Sequence, residues 1–63
     1  MNKRLYIIGY PDGVMLYIIA STLTINKDED KLSFEDDDCN IIGEYRNWMW
    51  WREGTEYEKK LHG

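Results

Sequence analysis

A chain of 63 residues with one cysteine, Cys39, and one histidine, His62, has room for a single small domain, but for neither an intrachain disulfide nor a Cys/His zinc cage. Hydrophobic residues at 43% and charged residues at 32% give the balance of a folded domain, not of a disordered tail. The net charge of −4 argues against a groove that tracks phosphates, and the longest apolar run, Val14 to Ala20, falls far short of the roughly 20 residues that cross a bilayer.

Arg4–Tyr10, "RLYIIGY", is rich in β-branched and aromatic residues and ends at Pro11-Asp12-Gly13, a turn signal. "VMLYIIA" follows at once, so Arg4–Tyr10 and Val14–Ala20 are expected to pair as an antiparallel hairpin. Both arms are apolar on both faces. Part of the hairpin should therefore be covered twice, by closure into a barrel or by a second subunit.

"STLTIN" alternates, with Leu23 and Ile25 facing one way, and Ala20-Ser21 reads as a bend, so that residues 14–26 form one long curved strand between two halves of the molecule. The polar turn 27–30 leads to "KLSFE", where Leu32 and Phe34 alternate with polar residues to complete a second hairpin. After the acidic turn 36–39 comes "NIIGEYR", with Ile41 and Tyr45 on one face and Ile42 and Glu44 on the other. Gly43 inside that strand marks a bulge or a close backbone approach. "NWMWWRE" reads as a sixth strand in preference to a helical turn. In the tail, "TEYEKKLHG", Thr55 can cap one helical turn, but nine residues with few apolar anchors should be loose, at least from Lys59.

These elements predict one mainly β domain spanning 1–63. It would be a small antiparallel barrel or twisted meander of five to six short strands, with a short C-terminal helical turn as an option and a loose tail over 55–63. Lys3 and Arg4 precede only a short apolar run broken by Gly9, Pro11 and Asp12, which is no secretory signal, so a cytoplasmic protein is expected.

Catalytic constellations are not expected. The sole histidine lies in the tail, Cys39 follows three aspartates whose field blunts a thiolate, and the five glycines are too scattered for a phosphate-cradling loop. A calcium loop starting at Asp36 would use Asp38 and Asn40, but Ile41 stands where glycine is needed and Asn47 where glutamate is needed. No metal or cofactor is expected.

Binding surfaces remain. All three tryptophans fall within Trp48, Met49, Trp50 and Trp51; on a strand Trp48 and Trp50 share one face and Met49 and Trp51 the other, so part of the cluster must seek cover outside the core. These four residues with Tyr45 form the expected interface, for a second copy or a target. A second candidate surface is acidic. Between Asp28 and Asp38 seven acids (Asp28, Glu29, Asp30, Glu35, Asp36, Asp37 and Asp38) face one lysine, which suits a basic partner.

The stretch "YPDGVMLYIIASTLTINKDEDKLSFEDDDCNIIGEYRN", with its hairpin, polar turn, "LxF" strand and "II" strand in succession, resembles the small all-β proteins encoded by bacteriophages and prophages. The resemblance covers about 60% of the chain and rests on layout; it supplies no catalytic residue. It implies a non-enzymatic inhibitor, often dimeric, that binds and disables a bacterial host protein such as a defence-system component, in the host cytoplasm. A homodimer, a bacterial target, and no direct contact with nucleic acid or membrane are the expected associations. The rival expectations are an acidic nucleic-acid mimic that blocks a DNA-binding enzyme, and a structural subunit of a phage assembly.

Overall fold

In the computed structural model, which describes residues 3–62, six strands precede one helix: β1 Arg4–Gly9, β2 Met15–Ala20, β3 Thr22–Asn26, β4 Lys31–Glu35, β5 Ile41–Tyr45, β6 Trp50–Glu53 and α1 Glu56–His62. They form two antiparallel three-stranded sheets, ordered β2-β1-β6 and β3-β4-β5. The sheets do not close into a barrel. The second sheet is a meander in chain order, whereas the first places β1 between β2 and the late strand β6.

The expected hairpins are in place. β1 and β2 pair from Arg4↔Ala20 to Gly9↔Met15, and the turn between them is closed by the Tyr10 N–H donating to the Val14 carbonyl (2.9 Å) and the Val14 N–H donating to Asp12 Oδ1 (3.1 Å). Gly13 adopts a φ of +91°, as a turn of this kind requires. β3 and β4 pair from Thr22↔Glu35 to Asn26↔Lys31, and Asn26 Oδ1 accepts from the N–H groups of Asp28 and Glu29 to shape the turn. Only Ser21 separates β2 from β3, so this length of chain leaves the first sheet and enters the second. Its N–H bonds to the Glu35 carbonyl (2.9 Å).

Both properties expected at Gly43 hold. The β4–β5 register slips between Phe34 and Glu35, and the Tyr45 ring comes so close that a Cβ at position 43 would lie 2.8 Å from it. Ile41 and Ile42, on either side of the slip in face preference, are both exposed.

The core lies between the sheets. Tyr6 and Ile8 of β1, Ala20 at the end of β2, and Leu32 and Phe34 of β4 are buried there. An aromatic layer joins the two sheets: Tyr6 packs on Phe34 (5.4 Å between ring centroids), Phe34 meets the edge of Tyr45 (5.7 Å), and Trp51 flanks Tyr6 (6.4 Å). Such pairs contribute about 0.5–1.5 kcal/mol each beyond the burial of their area. Alternation along β1 aims Leu5, Ile7 and Gly9 at the opposite face of the first sheet, yet Leu5 and Ile7 are only 1% exposed. What covers them is α1.

The helix is held across that outer face from three sides. Arg52 of β6 forms a two-pronged pair with Glu58 (2.9 and 2.8 Å), the His62 ring stacks on Tyr17 of β2 (4.0 Å, 12° between planes), and Lys59 Nζ donates to the Lys3 carbonyl. Thr55 and Glu58 complete a reciprocal cap: Thr55 Oγ1 accepts from the Glu58 N–H (3.1 Å), and Glu58 Oε1 accepts from the Thr55 N–H (2.9 Å). Where the sequence predicts a loose tail from Lys59, the backbone is helical through His62, because capping and docking supply what intrinsic propensity does not. Gly63 lies outside the described residues.

Candidate functional site

Strand β6 begins at Trp50, later than its apolar sequence implies, because Asn47 sits in the left-handed region (φ 64°) and turns the chain after β5. Asparagine tolerates that conformation at little cost. The turn resets which side chains face the core. Trp48 and Trp51 pack inward, while Met49 and Trp50 are exposed, so the expected grouping of Trp48 with Trp50 and of Met49 with Trp51 is corrected. Three of the five residues of the expected interface are thereby committed to the fold: Trp48 donates its Nε1–H to the Asp30 carbonyl (2.8 Å), and Tyr45 and Trp51 flank the aromatic layer.

Met49 and Trp50 instead join residues the sequence did not single out. Trp50 pairs with Gly9 on β1, and Gly9 pairs with Met15 on β2, so Trp50, Gly9 and Met15 lie side by side on the outer face of the first sheet. The Met49 N–H donates to the Gly9 carbonyl (2.7 Å), which anchors the residue before β6 at the same place. Pro11, Val14, Met15, Met49 and Trp50 surround a shallow hollow of about 210 Å³ at the β1–β2 turn. Helix α1 contacts Tyr17 and Arg52 on this face, while Val14, Met15, Met49 and Trp50 stay exposed. The outer face is thus covered in one half and open in the other. The doubly apolar pattern of "VMLYII" was the available signal, since a strand with no polar face must be covered on both sides or lie bare on one.

The acidic residues are not gathered into one patch. Asp28, Glu29 and Asp30 lie in the β3–β4 turn and Asp36, Asp37 and Asp38 in the β4–β5 turn, at opposite ends of a five-residue strand whose length is roughly 17 Å. Several carboxylates already have partners. Glu29 accepts from Arg46 (2.7 Å) and lies 3.9 Å from Lys31, and Ser21 Oγ donates to Asp37. Asp36 Oδ1 accepts from the N–H groups of Asp38 (2.9 Å) and Asn40 (3.0 Å), which holds the Asp36 carboxyl below the usual carboxylate range. Glu35 ends β4 beside Ile41, half-buried.

Two further hollows, of about 360 and 350 Å³, border the second sheet where Arg46 lies between Glu29 and Trp48 on one side and Lys31 and Glu44 on the other. Their charges pair internally, as with Lys31 and Glu44 at 3.2 Å. His62 stacks over the first sheet, whereas Cys39 is exposed in the β4–β5 turn of the second. Among the described residues, no group of three or more His, Cys, Asp or Glu side chains is arranged to hold a metal ion, and no helix is long and apolar enough to cross a membrane.

Charge divides along the same line as the sheets. From Ser21 to Arg46, which spans the second sheet, eight acids stand against three bases, a net of −5; the remainder of the chain has four acids and five bases, a net of +1. One half of the molecule is strongly acidic, and the other is near neutral with an open apolar stretch on its outer face. No protein-family model, curated protein or solved structure matches the chain.

Proposed function

We propose that the protein acts by binding and not by catalysis, and that its target is a bacterial host protein, such as a defence-system component, which it blocks in the host cytoplasm. The observation that carries this reading is the division of the molecule into a strongly acidic half and a near-neutral half with an open apolar stretch, since two surfaces of such different chemistry suit contacts with other proteins. The acidic half would meet a basic surface of the target, with the net −5 steering the encounter. The separation of its two acidic turns favours discrete basic patches over the closely spaced row of charges that a nucleic-acid mimic needs.

The test is capture from a bacterial lysate with wild-type protein and with the triple variant Asp28→Asn/Asp30→Asn/Asp38→Asn as baits. These side chains are chosen because Asp36 and Asp37 hold the turn and the Ser21 contact. A specific host protein retained by the wild type, lost with the variant and released in about 1 M salt is the expected result. Equal retention on both baits, or no specific capture, overturns the reading.

A further inference from the structure

We infer that the open half of the first sheet's outer face is the interface of a homodimer, so that two copies meet through Val14, Met15, Tyr17, Met49 and Trp50. This goes beyond the blocking role and stands whether or not a host target exists.

Area is the first argument. Val14 (49% exposed), Met15 (48%), Tyr17 (40%), Met49 (57%) and Trp50 (37%) together leave roughly 500 Å² open, on one sheet face and its adjoining turn. A standard interface covers about 800 Å² per partner, so these five residues would supply a little over half of one side, as the centre of a patch whose rim comes from their neighbours. A two-fold axis uses the same patch twice, so the hollow lined by Val14, Met15, Met49 and Trp50 would face its own copy.

Charge selects a second copy of this chain. The only charged side chain that alternation aims at this face from the three strands, Arg52, is already neutralised by Glu58. Contact through the open end of the first sheets puts the near-neutral halves at the interface and keeps the two −5 halves on the outside of the pair. Contact through Ile41 and Ile42 on β5 would instead bring those two acidic halves together, whereas the exposed Tyr57 and Leu61 lie on α1, which packs on the same outer face of the first sheet. A chain this small, without an intrachain disulfide, also gains most from association.

Multi-angle light scattering at about 100 µM, well above a micromolar dissociation constant, is the measurement. The expected mass is twice the 7.6 kDa of one chain. Val14→Lys and Met49→Lys, at exposed positions that leave the core intact, should each give a monomer with unchanged far-ultraviolet circular dichroism. Ile41→Lys should leave the dimer whole, and about 1 M salt should not dissociate it, in contrast to the proposed host contact. A wild-type monomer, a dimer that survives both Val14→Lys and Met49→Lys, or a dimer dissolved by Ile41→Lys or by salt would overturn the inference.

Discussion

The Trp50 indole occupies the space that a side chain at Gly9 would need: a Cβ built at position 9 would lie 2.0 Å from Cε2 and 2.3 Å from Nε1 of the ring. Glycine at that place on β1 is what lets a large aromatic on β6 rest against the sheet, and the two residues are direct cross-strand partners.

Gly9→Ala must therefore displace the ring, which has solvent on its other side. The expected cost is about 1–3 kcal/mol in urea unfolding, as for other forced overpacking, with tryptophan emission shifted to the red. Unchanged stability and emission would show that the ring is not held there.

Thr55→Ala removes the side-chain acceptor of the cap and half of the reciprocal pair with Glu58. A loss of about 1 kcal/mol is expected from denaturant midpoints, while Thr55→Ser should retain most of the stability. Equal losses for the two would assign the effect to packing of the methyl group.

Acid should weaken the docking of α1. Bonds from Arg52, then from the Thr55 N–H, hold the Glu58 carboxyl at about 2, against an ordinary 4.5. A depressed folded-state value means that the ionised carboxylate stabilises the fold fully above about pH 4.5, and that this contribution falls away as pH drops toward 2. The gap in melting temperature between the wild type and Glu58→Gln should therefore be widest near neutrality and close across that window. A gap independent of pH would contradict the assignment.

Phe34 touches both Tyr6 and Tyr45 and is fully buried. Phe34→Ala should cost about 3–5 kcal/mol, comparable to the whole stability expected of so short a chain, and leave the protein largely unfolded. Ile42→Ala on exposed β5 should change stability by less than about 0.5 kcal/mol. Circular dichroism melts of the two variants make the comparison.

Both hairpins were legible because their information is local: Pro11-Asp12-Gly13 and Asn26 carry their own turn chemistry, and alternation in "TLTIN" and "KLSFE" fixes the inward faces. Gly43 was legible for the same reason. The tryptophan cluster was not, because strict alternation assumes an unbroken strand, and Asn47 breaks it by a single left-handed residue. The helical turn in the tail was legible from Thr55, but its hold on the sheet was not, because that depends on Arg52 and Tyr17, partners that no inspection of residues 55–63 alone can supply. Splitting of the acids followed from the strand between them, but the exposed row of Val14, Met15 and Tyr17 depended on knowing how far α1 reaches.

β6 lies at the edge of the first sheet, yet its partner β1 is the first strand of the chain. The pairs β1–β2, β3–β4 and β4–β5 each close over a short turn, whereas joining Ile8 to Trp51 must bring together positions from opposite ends of the sequence. Loop-closure entropy makes that a late event, completed after the hairpins have formed. Before it happens, β1 lacks one neighbour, and Leu5 and Ile7 have no helix over them. The nascent molecule is then two hairpin-built sheets with a sticky open edge. Mutations in β6 should accordingly speed unfolding while leaving the folding rate nearly unchanged, and this stage is when the chain is most exposed to misassociation.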